Sequence, residues 1–417
     1  MLLVIVHRHG FEVVGLEDLA TFQTAEIIHS VASDNHLRSG VLTVALHIER
    51  LTLLYLRQSC CQGVSTDGRH FQLQSMEMIR GFASPEPTYR FAKCHPESRQ
   101  FYRKTQSLTV SSLGLGSYLA PMDDATDRGY EESVKAAIGE GINCFDTSLN
   151  YRNQRSERAI GRALSGLFEA GKVEREQVLV STKAGYLIPG ATPEADEIEG
   201  GTHCMSPSFL SDQLLRSQAN LKLETIDVLY LHNPETQLRY IGAEAFYERI
   251  QRAFDAMEQF AERGRIRFYG AATWTGFREP DQLSLERMVE LARKAGGNSH
   301  RFRFIQLPLN LAMPEALTRV IRDGRTVLDV AQEENIAVVA SASLMQGRLT
   351  AGLPEEVAAR LPGLDSDALR SIQFARSVPG VVTALAGMSS PRHVTENAAI
   401  ARVAPMGPDG YFRLFRK

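Results

Sequence analysis

From about residue 100 onward, short apolar runs alternate with longer amphipathic stretches, and this rhythm constrains the fold more than any other feature of the chain. The runs are SSLGLG (111–116), INCFD (142–146), VLVSTK (178–183), IDVLYLH (226–232), IRFYGAAT (266–273), RFIQL (303–307), IAVVAS (336–341) and VVTALAG (381–387). Short continuous apolar runs read as strands buried on both faces, as in a parallel sheet. Between them lie helical patterns such as RGYEESVKAAIGEG, SERAIGRALSGLFEAG, PSFLSDQLLRSQANLKL and YERIQRAFDAMEQFAERG. Ser206 before Pro207 reads as a cap and first-turn proline, and Gly171 and Gly264 as stops. Eight strands, each followed by a helix, favour a closed (β/α)8 barrel over an open doubly wound sheet. SLGLGSYL, after the first strand, lacks the third glycine of a GxGxxG dinucleotide loop, which weighs against the open sheet. The expected class is α/β, a (β/α)8 TIM barrel with an additional N-terminal segment.

That segment carries apolar patches (LTVALHIERLTLLYLRQ, 42–58) but no alternation of strand and helix. Residues 1–85 are expected to form an extension outside the catalytic domain, and residues 86–417 the barrel. Met76 or Met78 is the expected natural start, a point that N-terminal sequencing of the native product decides. Apolar residues at 43% and charged ones at 23% suit a protein with a large buried core. A formal charge of −3 gives no reason to expect a nucleic-acid partner. No run approaches the ~18 apolar residues of a membrane span, and MLLVIVHRHG lacks the basic start of a signal peptide. Cys60, Cys61, Cys94, Cys144 and Cys204 are odd in number and without metal-ligand spacing, so reduced thiols in a cytoplasm are expected and no metal site. No sequence feature sets an oligomeric state.

A (β/α)8 barrel carries its active site at the C-terminal ends of its strands. There the second strand ends in Asp146, with Tyr151 in the loop beyond; the third ends in Lys183 and the fourth in His232. Each alone has a structural explanation, as a cap, an ion pair or a packed ring. Together at successive strand ends they make a proton-transfer set. Free tyrosine titrates near ~10 and lysine near ~10.4, and an adjacent ammonium favours the phenolate. Asp146 would keep Lys183 charged and aimed, and His232 would orient a carbonyl oxygen or share the relay. Such a set protonates an oxygen while something else delivers hydride to carbon. No side chain supplies hydride, so a nicotinamide cofactor is implied.

GINCFDTSLNYRNQRSERAIGRAL resembles the aldo-keto reductase signature, in which G-x-N-x-F-D-T-A precedes Y-G and S-E-x-x-[IL]-G. The resemblance continues through VLVSTK, IDVLYLHNP, GRIRFYGAAT and VVTALAGMSSPRHVTEN, over roughly residues 107–402. It implies an NADP-dependent oxidoreductase acting on a small-molecule carbonyl or alcohol, with Asp146, Tyr151 (general acid), Lys183 and His232 as its tetrad. It also implies that Thr273 and Gln306 hold the nicotinamide amide, with Asp146, Ser341 and Leu344 along the same cofactor. Ser389, Arg392, His393, Glu396 and Asn397 would take the adenosine end and its phosphate. The family's Ser-Asn at the fifth strand end is Ala272-Thr273 here, and its stacking aromatic at the seventh is Ser341. NADP(H) is preferred over NAD(H), with Arg392 and His393 as the basis. Tyr118 and Trp274, with His232, are expected to line the substrate pocket.

The segment GYLIPGATPEADEIEGGTHCMSP (185–207) reads as a long acidic insertion after the Lys183 strand, functional or mobile, and unfavourable to strongly anionic substrates. Two rival functions stay open. Lys183 could form a Schiff base as in barrel aldolases, or the chain could bind nucleotide without turnover, as a redox sensor or partner-docking subunit.

Overall fold

The structure, a computed structural model, describes residues 2–7, 10–15, 411 and 414, and residues 78–407 apart from 96–99, 192, 194–196, 280–281 and 322. The chain divides into two compact units, Met1–Leu73 and Gln74–Lys417. In the first, β1 (Leu2–His7) pairs antiparallel with β2 (Gly10–Gly15). The patch at 42–58, Cys60, Cys61 and Met76 lie outside the described residues.

The second unit opens with α1 (Pro85–Lys93) and an antiparallel hairpin, β3 (Tyr102–Thr105) and β4 (Leu108–Ser111). Eight strands follow: β5 (Leu113–Gly116), β6 (Cys144–Asp146), β7 (Leu179–Ala184), β8 (Ile226–His232), β9 (Ile266–Ala272), β10 (Phe302–Pro308), β11 (Ala337–Ser341) and β12 (Val381–Gly387). Each pairs in parallel with the next and β12 pairs with β5, so the sheet closes. All eight expected strands are present, and the closed barrel replaces the open-sheet alternative.

The helices in chain order are α2 (Asp124–Gly139), α3 (Arg155–Glu169), α4 (Pro207–Leu221), α5 (Ala243–Glu262), α6 (Leu285–Gly296), α7 (Glu315–Thr318), α8 (Val327–Glu333), α9 (Glu355–Arg360), α10 (Asp367–Ser377) and α11 (Pro391–Ala398). Their boundaries follow side-chain chemistry. The Asp123 carboxylate accepts the Thr126 amide to start α2, and Ser284 does the same for α6. Pro207 opens α4 with Ser206 as its cap residue, and Gly171 and Gly264 stand left-handed just after α3 and α5. At Gly161 a side chain would run into the Asn220 carbonyl, so this glycine sets how closely α3 approaches α4. No helix among the described residues is long and apolar enough to cross a membrane.

The hairpin, which the apolar rhythm does not announce, plugs the barrel. Leu108 and Val110 are fully buried and pack with Cys144, Leu179, Val228 and Val339 inside it. Asn143, the asparagine of the INCFD run, holds the plug in place. Its amide donates to the carbonyls of Thr109 (3.0 Å) and Gln177 (3.1 Å) and accepts from the Ser111 amide (2.9 Å). A buried pair, Arg175 and Asp227 (2.8 Å), adds a second anchor, with the other Asp227 oxygen accepting the Ala83 amide at 2.6 Å. Ala83 belongs to the same inner cluster, and Ile79 exchanges backbone hydrogen bonds with Lys222 and Glu224 just before β8. The C-terminal end is left to polar side chains.

Candidate active site

Asp146 closes β6 and points into the barrel, where three donors converge on its carboxylate: Lys183 Nζ at 2.5 Å, Ser181 Oγ at 2.8 Å and Gln306 Nε2 at 2.8 Å. Lys183 Nζ donates also to the Thr147 carbonyl at 2.8 Å. The lysine is 1% exposed and does not line the cavity. Burial lowers its pKa, and Asp146 works against that shift without cancelling it.

Past Asp146 the chain turns sharply. Tyr151 N donates to the Ser148 carbonyl, and Arg152, Asn153 and Gln154 then follow with φ of 48°, 51° and 68°. This turn lays the Tyr151 ring over the Lys183 amine, 4.7 Å from nitrogen to ring centroid. Tyr118 packs at 4.9 Å and His232 at 5.6 Å from the same ring. The sequence reading made the phenol acidic through its cationic neighbour. Here burial dominates and pushes the phenol well above its ordinary pKa, with Asp146 and the flanking tyrosines adding to the rise. The lysine charge is paired with a carboxylate, so in the resting site its pull on the phenol does not offset burial. Tyr151 is therefore a protonated, neutral phenol at neutral pH.

His232 is likewise neutral. Burial first, then Lys183 and His203, hold it well below the usual imidazole range. Its Nδ1 faces Ser148 Oγ at 3.1 Å, so the nitrogen left for a substrate is Nε2. His203 Nε2 donates to the His232 carbonyl at 2.8 Å and Gln237 Nε2 donates to His203 Nδ1 at 3.2 Å, a buried relay that fixes the strand end. Tyr186 stacks edge-on against both histidines, at 5.3 and 5.0 Å.

These groups form one end of a cavity of about 1120 Å³ that runs to α11. Tyr118, Asp146, Tyr151, His232 and Trp274 line its barrel end. Thr273, Gln306, Ser341 and Leu344 line the middle, and Ser389, His393, Glu396 and Asn397 the far end. Two expected residues do not line it. Lys183 lies beneath the tyrosine, and Arg392 stands on the surface with its side chain 82% exposed, paired to Glu396 at 2.7 Å. Thr273 turns back on β10, its amide and hydroxyl both donating to the Gln306 carbonyl at 2.8 and 3.5 Å. With the Gln306 amide nitrogen given to Asp146, its carbonyl oxygen is the end left for a ligand.

The sequence reading missed Tyr186, His203, Ser148 and Glu235. Glu235 is 4% exposed and one oxygen accepts the amides of Trp274, Thr275 and Gly276 at 2.7, 3.0 and 3.2 Å, which pins the loop after β9. Only Tyr186 carried a readable signal, an aromatic three residues beyond the Lys183 strand end. Two acidic residues of the insertion are described. Glu197 and Glu199 reach Arg252 and Arg249 of α5 at 2.9 Å each, so their charge is neutralised away from the cavity.

Residues 112–409 match the profile of the Aldo/keto reductase family. The chain belongs to this family. As an aldo/keto reductase it is 24% identical over 325 residues to the L-galactose dehydrogenase of Arabidopsis thaliana, across 72% of this chain and 88% of that one. It is 27% identical over 175 residues to a Schizosaccharomyces pombe protein named for a voltage-gated potassium channel beta subunit, across 41% of this chain. The matched region spans only 44% of that relative and 47% of a Bacillus subtilis oxidoreductase, about half the length of each. Among solved structures, an aldo/keto reductase from Klebsiella pneumoniae in complex with NADP and acetate shares the fold. Its TM-score is 0.55 at 22% identity, over 76% of this chain and 94% of that one.

Proposed function

We propose that this aldo/keto reductase moves a hydride between NADP(H) and the carbonyl or alcohol carbon of an aldehyde, ketone or sugar-like compound, with Tyr151 as general acid and base. NAD(H) is the secondary cofactor in this reading. The observation that carries it is the meeting of Tyr151, His232 and the Lys183–Asp146 pair at one end of a cavity of about 1120 Å³. That volume exceeds the roughly 300–1,000 Å³ of sites for drug-sized ligands, as an extended dinucleotide with a substrate requires. Thr273, Gln306 and Ser341 would hold the nicotinamide region, and Ser389, His393, Glu396 and Asn397 the adenosine end, with Arg392 beside it. The dinucleotide, when bound, supplies or takes up the hydride. The NADP in the Klebsiella pneumoniae complex supports the cofactor, and relatives named L-galactose dehydrogenase and D-threo-aldose 1-dehydrogenase support the substrate range.

Tyr151 donates a hydrogen bond to the substrate oxygen, and because burial keeps the phenol protonated, the proton is in place before reduction begins. His232 Nε2 addresses the same oxygen and orients it. As the phenol gives up its proton, negative charge grows on its oxygen, and the ammonium beneath the ring stabilises that charge. Asp146 keeps the ammonium in position at 2.5 Å. In the oxidative direction the phenolate takes the alcohol proton back. The burial of Lys183 beneath the Tyr151 ring, 1% exposed, weighs against the Schiff-base reading.

A panel of aldehydes, ketones and aldoses assayed by NADPH absorbance, with Tyr151→Phe as control, tests the proposal. Turnover is expected in the parent and a loss of about 100-fold or more in the variant, the scale of a removed general acid. Turnover surviving in Tyr151→Phe would refute the role of the phenol. NADPH binding without turnover of any carbonyl would favour the second reading, a nucleotide-binding sensor, to which Ala272 and Ser341 lend weight by offering fewer contacts to the nicotinamide.

A further inference from the structure

We infer that the carbonyl compound this chain takes carries an apolar tail, alkyl or aryl, which lies in a groove beside the cavity mouth; the inference rests on the proposed function and narrows it. The groove has a volume of about 480 Å³ and shares Tyr118, Leu119, Ala120 and Asn150 with the main cavity, so a molecule can enter both at once. One wall is the loop after β5, where Tyr118, Leu119 and Met122 are 54%, 43% and 66% exposed. The facing wall is Leu187, Ile188 and Pro189, from the loop after β7.

Single exposed apolar side chains are ordinary on a protein surface. Three within five residues, opposite a second apolar loop and joined to a reaction cavity, mark a place where apolar surface is meant to be covered. Asn150, Arg152 and Asn153 also line the groove, and the first two spend part of their hydrogen-bonding capacity on neighbouring groups. Asn150 Oδ1 accepts the Ser148 hydroxyl at 2.7 Å. The Arg152 guanidinium donates to the Pro121 carbonyl at 2.8 Å and to Asp127 at 2.6 Å, and its side chain is 2% exposed. Asp127 faces the Arg152 charge and is shared with Arg155 at 2.8 Å, and it is the apolar side chains of the two walls that suit hydrocarbon better than a polyol. Arg152 also joins the two sides. It follows Tyr151 directly and grips the β5 loop, so the spacing between the tyrosine and the groove is fixed.

Straight-chain aldehydes from butanal to octanal, reduced with NADPH, supply the first arm of a test. The second is calorimetric binding of the matching primary amides in the presence of NADPH, which cannot reduce them. Both are run on the full chain, on Met122→Gln and on Met122→Gln/Leu187→Gln. In the parent, kcat/KM and amide affinity are expected to rise about fourfold per methylene, the value of a buried CH2. The double variant should flatten that rise while leaving butanal within about twofold, since neither residue borders the main cavity. The single variant, altered at a side chain 66% exposed, should show an intermediate slope in a folded protein. Measurable aldehyde turnover without length dependence overturns the inference and leaves the proposed function standing. Length-dependent amide binding with no turnover overturns the proposed function and supports the groove. A dimer that the double variant dissociates, with affinities independent of length, would assign the groove to a second copy and overturn the inference.

Discussion

Replacing Asp146 with Asn removes the charge that faces Lys183 and little else. Ser181 and Gln306 both donate to Oδ1 and can keep that acceptor, while the 2.5 Å partner of Lys183 becomes an amide. Lys183 then retains the Thr147 carbonyl alone at full burial. Removing one partner of a buried pair typically costs about 3–5 kcal/mol. The lysine has one escape, which is to fold without its proton. From an unfolded pKa of ~10.4, that costs about 4.6 kcal/mol near pH 7, so the loss is capped at that value. Burial already lowers the Lys183 pKa in the folded chain, and losing Asp146 lowers it further. Between the folded and unfolded pKa the unfolded chain binds the extra proton, so stability rises with pH. The deficit of Asp146→Asn should therefore shrink as pH rises from the variant's folded Lys183 pKa to the parent's higher one, by up to about 1.4 kcal/mol per pH unit, and level off above it. Urea unfolding followed by circular dichroism measures it, and in a Lys183→Met background the same substitution should cost nothing or stabilise. A deficit below about 1 kcal/mol near pH 7, or one that does not change with pH, refutes the pairing as the reason for the buried lysine.

Acid should weaken the fold through the histidine relay. Burial holds His203 down at about 4, so between an unfolded value of ~6.5 and that point the unfolded chain carries the extra proton and stability falls as pH falls. His203→Gln should remove about 1.4 kcal/mol per unit from that slope, read from urea midpoints across the window; an unchanged slope would show that His203 does not titrate on unfolding. Glu235→Ala strands the three amides it holds, and a loss of about 3 kcal/mol with weaker NADPH binding is expected. Unfolding and a fluorescence titration using Trp274, the sole tryptophan, check both. Normal NADPH affinity in a folded Glu235→Ala protein would detach the carboxylate from the loop after β9.

The barrel was legible because its strands are enclosed on both faces, and enclosure writes itself into sequence as unbroken apolar runs such as IDVLYLH. The strand-end polar residues were legible for the converse reason: nothing in a packed core calls for Asp146, Lys183 and His232 at successive ends. The plug hairpin was not, since YRKT and LTVS are short and half polar, and their burial depends on contacts with strands far along the chain. Tyr186 and His203 were hidden inside a segment whose composition spoke only of surface charge. The state of the Tyr151 phenol was misjudged for a related cause. Sequence can place an ammonium near a phenol, but whether that charge is free or already neutralised is decided by the third group, Asp146, and by burial.

The corner after Tyr151 has a consequence for how the protein responds to heat. Arg152, Asn153 and Gln154 hold consecutive left-handed conformations with no glycine among them, a backbone that costs roughly 1–2 kcal/mol per residue. The Arg152 bonds to the neighbouring loop hold that corner shut. On warming, this corner is expected to loosen before the closed sheet does, so hydrogen exchange at the amides of Arg152, Asn153 and Gln154 should outrun that in β8 well below the melting point.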